Sequence, residues 1–109
     1  MLDTLKKLSI EVNRKIKEDD KVRKVVATKD RTILVELKDD RSYVISVKAG
    51  AVEEPYEGTL DAPTLRVRTD VKTMNKLIEG KINPLMAYAM KKIKVEGDID
   101  DIMVLKDMF

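Results

Sequence analysis

The residue types that carry most enzymatic chemistry are scarce in this chain of 109 residues. It has no Cys, which excludes thiolate catalysis and disulfides, and no His, the commonest general base and metal ligand. Four carboxylates cluster near the C-terminus, at Glu96, Asp98, Asp100 and Asp101, but their spacing fits no calcium-binding loop. The cluster is typical of a turn followed by the acidic first turn of a helix.

Nucleophile and phosphate motifs give no stronger indication of catalysis. Ser9, Ser42 and Ser46 stand outside any nucleophile motif, and the four glycines are too scattered to form a phosphate-binding loop. An enzyme that works through carboxylates and lysines is therefore a weaker alternative. The sequence favours a protein that is not an enzyme and that uses no metal or other cofactor.

The charges also restrict the classes of partner. Lysine and arginine number 22 against 20 acidic residues, and this net charge of +2 is too small for a general nucleic-acid binder. Basic residues on the predicted sheet lack the interleaved aromatic residues that stack on bases. No apolar run approaches the roughly 20 residues that span a bilayer, and the N-terminus lacks the apolar region of a secretory signal. We therefore expect a cytoplasmic protein that binds no nucleic acid.

Hydropathy patterning predicts a single α+β domain over residues 1–109. An amphipathic helix is predicted from Asp3 to Lys17. Strands are predicted where apolar and polar residues alternate, at Lys24–Thr28, Thr32–Lys38, Ser42–Lys48, Val52–Tyr56, Leu65–Thr69 and Lys92–Glu96. Short polar connections favour a mostly antiparallel sheet with helices packed on one face. The residues expected to face the helices are Ile33, Val35, Leu37, Ile45, Val47, Leu65, Val67, Ile93 and Val95.

The last third of the chain is predicted to be largely helical. Asp70 is a candidate cap for a helix that Gly80 ends, and Asn83-Pro84 is typical of the start of a second helix. Residues 85–90 of that second helix are apolar on every side, so other helices, a partner chain or a ligand should cover it all round. The final segment, from Ile99 onwards, fits either a helix or a strand.

Methionine usage singles out the same third of the chain. Apart from Met1, the methionines are Met74, Met86, Met90, Met103 and Met108. Methionine is flexible and adapts to varied apolar shapes, although it also serves as ordinary core filler. A soft helical layer of this kind could part from the sheet and admit an acyl or isoprenoid chain.

Two motifs in this region resemble the C-terminal signature of the sterol carrier protein type-two family. The first motif comprises Gly80, Lys81, Asn83, Pro84 and Ala87, and the second comprises Lys92, Ile93, Lys94, Gly97 and Asp98. In pattern the resemblance covers nearly the whole chain. It departs from the family at Lys91, where the family has Gly, which allows a different turn there. The resemblance implies a five-stranded sheet with helices on one face and an apolar tunnel between the two layers.

The function implied by the resemblance is lipid carriage without covalent chemistry. The ligand would be a fatty acyl, sterol-like or isoprenoid molecule, or another long apolar compound. The tunnel wall is predicted to comprise Met74, Leu77, Ile78, Ile82, Met86, Ala89, Met90, Ile102, Met103 and Phe109. The alternative is an interaction or dimerisation module of the same fold that holds no ligand.

Two further expectations concern assembly and membranes. The apolar last third is compatible with a monomer or a weak homodimer. Basic residues surround the apolar stripe of the N-terminal helix, at Lys6, Lys7, Arg14, Lys15 and Lys17. Basic amphipathic helices contact anionic lipid surfaces, so a transient membrane contact is one interpretation of this helix. An ordinary helix packed on the core is the other.

Overall fold

The computed structural model describes residues 1–108 as one layer of helices on a mixed sheet. The helices are α1 (Leu2–Glu18), α2 (Asp20–Val26), α3 (Val71–Ile78), α4 (Pro84–Ala89) and α5 (Ile99–Met108). The strands are β1 (Arg31–Leu37), β2 (Ser42–Lys48), β3 (Ala51–Val52), β4 (Tyr56–Glu57), β5 (Leu65–Thr69) and β6 (Lys94–Glu96). The α+β prediction is confirmed, and the open choice for the final segment resolves as a helix.

The sheet has the order β3–β2–β1–β5–β6. Strand β4 also pairs with β2, farther along that strand than β3. All pairs are antiparallel except β1 with β5, which is parallel. The extra strand arises at the edge, where one strand was predicted from Val52 to Tyr56. Three residues lie between Val52 and Tyr56, but only two lie between their partners Val47 and Val44, so the edge bulges and splits into β3 and β4.

The predicted register of the sheet is confirmed. All nine residues expected to face the helices are buried in one cluster together with residues of the helices. Alternation fixes this outcome, because a slip by one residue would turn the whole set to the other face. On the opposite face of the sheet, Leu34 and Val44 lie directly across from each other and are fully buried. That face is therefore not exposed to solvent throughout.

The strand predicted at Lys24–Thr28 is wrong, because these residues belong to α2 and the turn that follows it. The carboxylate of Asp19 accepts hydrogen bonds from the backbone N–H groups of Lys21 (2.9 Å) and Val22 (3.3 Å), which caps a new helix. Val22 and Val26, four residues apart, then share the buried face. The β-branched residues suggested a strand, but capping and helical spacing prevail.

A buried ion pair fixes α5 to the start of β1. The Arg31 Nε donates to Asp101 Oδ1 at 2.8 Å, and the Lys29 Nζ lies 2.8 Å from Asp101 Oδ2. Burial raises the pKa of Asp101, but the hydrogen bonds and charges of Lys29 and Arg31 outweigh it and hold the pKa below its ordinary value. The carboxylate is therefore charged, and it anchors α5 firmly.

Helix α1 is fixed to the outer edge of the sheet by an amide side chain. The Asn13 Nδ2 donates to the carbonyl oxygen of Val52 at 2.9 Å, and Asn13 Oδ1 accepts from the Val52 N–H at 2.8 Å. The side chain thus pairs with the free side of β3 as another strand would. These two hydrogen bonds hold the middle of α1 against the sheet.

Candidate functional site

Helix α3 carries two residues that line the space between the layers. The Asp70 carboxylate accepts from the Thr73 N–H at 2.7 Å and begins the helix. Hydrogen bonds from the Thr73 backbone and then its side chain hold the pKa of Asp70 below its ordinary value. The helix ends at Gly80, whose φ of 74° is the left-handed conformation that glycine adopts readily. Met74 and Leu77 are the buried residues of this helix.

Helix α4 is built in the same way but ends on a different residue. Asn83 caps it by accepting from the Leu85 N–H at 2.8 Å, and Pro84 occupies the first turn. At its end the Lys91 N–H donates to the Tyr88 carbonyl, and the Lys92 N–H donates to the Ala87 carbonyl at 2.9 Å. This is the hydrogen-bond pattern of a helix that terminates through a left-handed residue.

Lys91 is that left-handed residue, with a φ of 60°. The departure from the family motif therefore changes the residue and not the turn, which keeps the conformation that a glycine would favour. An L-residue with a side chain adopts this conformation at a free-energy cost.

The second motif includes Gly97, where a side chain has no room. A Cβ on Gly97 would lie 2.8 Å from the carbonyl oxygen of Thr64, and φ is 149°. Glycine is required at this position because β6 turns close against the start of β5.

An apolar void of about 40 Å³ lies between the sheet and α1, α3, α4 and α5. Its walls are formed by Leu5, Leu8, Ser9, Val12, Ile33, Val35, Ile45, Val52, Val67, Met74, Leu77, Pro84, Ile93 and Leu105. Ser9 brings the one polar side chain, and its hydroxyl donates to the Lys6 carbonyl at 2.7 Å within α1. The wall therefore offers no free polar group to orient a ligand.

The predicted wall residues have different positions in the structure. Met74 and Leu77 line the void. Partly buried side chains that pack on the same core are Ile78, Ile82 and Ile102. The exposed members of the set are Met86, Ala89, Met90 and Met103, and Phe109 lies outside the described residues. That these ten residues contribute to ligand binding stays a prediction.

Sequence reasoning missed the part of the wall that α1 and the sheet provide. Ser9 is the residue that could have revealed it, because it lies on the apolar stripe of α1 between Leu5 and Val12. A small side chain at a buried helical position leaves space that a larger apolar residue would fill. The void lies beside this position.

The other helices of this chain do not cover α4 on every side, and its coverage by a partner chain or a ligand stays a prediction. Of its residues only Pro84 and Ala87 are buried, while Met86 is 57% exposed and Tyr88 47% exposed. Met90, which follows the helix, is 55% exposed. The helix lies at the rim of the helical layer, so one side packs on the core and the rest faces outward.

An open groove adjoins this outward side. Its lining residues are Lys38, Tyr88, Ala89, Lys91, Ile93, Lys94 and Val95. The floor is apolar and the rim carries three lysines. No helix within residues 1–108 has the length and apolar character needed to cross a membrane.

Solved structures with similar folds include two sterol carrier proteins. The sterol carrier protein domain 2 of Helicoverpa armigera has a TM-score of 0.70 and 20% identity, with 94% of this chain and 82% of that chain covered. A crystal structure of sterol carrier protein 2 has a TM-score of 0.64 and 16% identity, with 94% and 87% covered. At these identities the similarity concerns the fold.

A third neighbour is a much larger enzyme, a stereoselective inverting sec-alkylsulfatase from Pseudomonas sp.. Its TM-score is 0.67 at 13% identity over 80% of this chain, and the chain spans 14% of the alkylsulfatase's length. No curated protein matches the sequence significantly. The model of one protein family, in contrast, matches residues 7–109. With nearly the whole length matched, the chain belongs to the SCP-2 sterol transfer family.

Proposed function

We propose that this protein is a non-enzymatic, cytoplasmic carrier that holds a long apolar lipid between its sheet and its helices. The observation that carries the proposal is the apolar void enclosed by the two layers. Family membership and the fold of the sterol carrier protein neighbours support lipid binding or transfer. The ligand would be a fatty acyl, sterol-like or isoprenoid molecule.

The size of the void implies that the helical layer moves when a ligand binds. A volume of about 40 Å³ is far below the roughly 300 Å³ at which small-molecule sites begin. Helix α4 is the element best suited to move, because it buries only Pro84 and Ala87. The ion pair of Asp101 and the amide pair of Asn13, in contrast, hold α5 and α1 in place.

In the ligand-bound form the predicted wall residues would complete the tunnel. Met74 and Leu77 already line the void, and Ile78, Ile82 and Ile102 pack on the same core. An outward displacement of α4 would bring Met86, Ala89 or Met90 over the opened space. The wall then consists of flexible aliphatic side chains that adapt to different ligands.

Affinity in such a site should follow ligand length more than ligand chemistry. Each buried methylene contributes about 0.8 kcal/mol, and no free polar group of the wall orients the ligand. Fluorescent fatty acids of increasing chain length should therefore bind more tightly until the tunnel is full. Native mass spectrometry and organic extraction of the purified protein would show which lipid co-purifies.

A matched pair of variants on α1 tests where the ligand lies. Ser9 lines the void, whereas Ile10, the next residue, is 70% exposed. Ser9→Phe should fill the space and abolish saturable uptake of fluorescent fatty acid, at a stability cost of about 1–3 kcal/mol. Ile10→Phe should bind as the wild type does. If the wild type binds no fatty acid, acyl-CoA, phospholipid or isoprenoid saturably, the carrier proposal fails.

The second candidate is an interaction or dimerisation module without a ligand. The observation that favours it is the exposure of Met86, Tyr88 and Met90 together with the small internal void. Sedimentation equilibrium distinguishes the two functions. A module predicts a dimer that Met86→Lys dissociates and no lipid uptake, while a carrier predicts uptake by a monomer.

A further inference from the structure

We propose that β6 is the contact surface for a second copy of this chain, which pairs with it edge to edge in a two-fold dimer. Strand β6 ends the sheet on one side and pairs with β5. Within the part of the chain that the structure describes, the backbone of residues 94–96 makes no hydrogen bond outside that pairing. The space beside Lys94 and Val95 is an open groove. The free side of β6 is therefore accessible to another strand.

The charges around β6 are arranged in two opposite halves, because residues 91–100 are basic before Val95 and acidic after it. The charged residues of this segment are Lys91, Lys92, Lys94, Glu96, Asp98 and Asp100. Among the described residues, Glu96 is the one member in an ion pair, 3.7 Å from the Arg66 Nε, and Arg66 also pairs with Glu36 at 2.9 Å. In an antiparallel pair of identical segments, the basic half of each copy meets the acidic half of the other.

The two faces of the strand limit the registers of such a pair. Val95 is buried in the core beneath the helices, so Lys94 and Glu96 point to the opposite face of the sheet. A two-fold axis perpendicular to the sheet preserves these faces, so residues of the same face lie opposite each other. Registers centred on Lys94 or on Glu96 place that residue opposite its own copy, and like charges directly opposite are destabilising. The charges therefore select the register centred on Val95, in which Lys94 lies opposite Glu96 of the second copy.

Lys94 has an unfavourable neighbour inside its own chain. Its partner in the register of β5 with β6 is Arg68, so two cations lie across from each other on the face away from the helices. Arg68 is compensated by Glu36 at 3.1 Å, whereas Lys94 forms no ion pair within residues 1–108. Glu96 of a second copy, on the other side of Lys94, would supply the counter-charge that the chain itself does not provide.

The presence of both signs of charge favours a second copy over a partner of one charge. An acidic peptide would suit the lysines but would be repelled by Glu96 and Asp98, and a basic peptide would meet the reverse conflict. The dimer also differs from one centred on Met86 and Met90, because its contacts lie on the edge of the sheet and not on α4.

The length of β6 implies a weak association that stops at two copies. Three residues bury less than the roughly 1,200 Å² of a stable interface, so we expect a dimer at high protein concentration and a monomer in dilute solution. Two-fold pairing uses the β6 edge of both copies. The outer edges of the joined sheet are then the two β3 strands, where Asn13 occupies the backbone groups of Val52.

Complementary charge reversals test the pairing. Lys94→Glu places like charges opposite each other in the dimer, and Glu96→Lys does the same with the opposite sign. Each should weaken self-association about tenfold or more, because two attractive pairs become repulsive. An equimolar mixture of the two variants should associate about as well as the wild type, since every Glu then lies opposite a Lys. With one variant isotopically labelled, the amide NMR shifts of residues 94–96 report association as protein concentration rises.

Thermal midpoints separate association from folding. Lys94→Glu removes the like-charge pair with Arg68, so this variant in dilute solution should be at least as stable as the wild type while it loses the dimer. Lys94→Gln should lose less association than Lys94→Glu, because it removes an attraction without adding a repulsion. This comparison decides the matter if Glu96→Lys fails to fold opposite Arg66, and equal losses in the two Lys94 variants would contradict the pairing.

The matched control lies at the other edge of the sheet, where Lys48 and Glu53 form an exposed ion pair. Lys48→Glu and Glu53→Lys make the same changes of charge, and alone or mixed they should associate within about twofold of the wild type. Equal losses in this pair would overturn the inference, as would no recovery in the β6 mixture. It would also be overturned by a wild type without concentration-dependent shifts at residues 94–96, or by a dimer that Met86→Lys dissociates.

Discussion

Helices α3 and α4 follow the same plan and take opposite roles. Each begins at a side-chain cap, Asp70 or Asn83, and each ends through a left-handed residue, Gly80 or Lys91. Yet α3 buries Met74 and Leu77, while α4 directs its methionines outward. Caps and end residues thus set where a helix begins and ends, and they do not decide which side faces the core.

The two helices turn different kinds of side chain toward the core because their compositions differ. The polar residues Lys72, Asn75 and Lys76 of α3 leave one side for the core, so the helix has a single satisfactory orientation. Helix α4 has apolar residues all round and no polar side to prefer water. Its orientation is set by the packing of its small residues Pro84 and Ala87 on the layers beneath.

The largest contrast should appear when a methionine is removed from each region. Met74→Ala should cost about 2–5 kcal/mol of unfolding free energy, because it empties a buried position beside an existing void. Met90→Ala should change stability by less than about 0.5 kcal/mol, because most of that side chain is in water. Urea denaturation of both variants checks this, and similar losses would mean that α4 is packed more tightly than described.

Replacing the left-handed residue at the end of each helix should change the free energy of unfolding in opposite directions. Gly80→Ala should cost about 1 kcal/mol, purely through the backbone, since no atom lies within 4 Å of the added Cβ. Lys91→Gly should gain up to about 1 kcal/mol for the same reason. Thermal midpoints of the two variants report the difference, and a loss in both would show that the Lys91 side chain stabilises its turn.

The smallest contrast concerns pH. The pKa of Asp70 is lowered by the Thr73 hydrogen bonds, so its stabilisation of α3 is present above the unfolded value of about 4 and is lost as pH falls through the folded pKa. Asp70→Asn should remove this dependence at a cost below about 1 kcal/mol at neutral pH. Asn83→Asp should introduce the same pH dependence of stability into α4. Urea midpoints measured from neutral to acid pH check both, and parallel curves for all three proteins would contradict the assignment.

The sheet and the ends of the late helices could be predicted because their signals are local. Strict alternation fixed the inward side of Ile33 and Val35, and Asp70, Gly80 and Asn83-Pro84 marked the ends of α3 and α4. Each of these signals depends on neighbouring residues alone. The parallel pairing of β1 with β5 has no such local signal, because residues far apart in sequence determine it.

The failures arise where two signals compete or where tertiary packing decides. At α2 the valines favour a strand, whereas the cap at Asp19 and the helical spacing of Val22 and Val26 produce a helix. The exposure of Met86 and Met90 depends on where α4 lies in the layer, which composition does not encode. The void beside Ser9 depends in turn on strands that meet α1 only in the folded chain.

The amide pair between Asn13 and Val52 matters most when the core opens. A displaced helical layer uncovers apolar strands, and a free strand edge then recruits another chain into a growing fibril. Asn13 occupies both hydrogen-bonding groups of Val52 on the outer edge, and at the other edge β6 is only three residues long and carries Lys94 and Glu96. The opening proposed for ligand uptake would therefore leave neither β3 with a free edge at Val52 nor β6 with a long one.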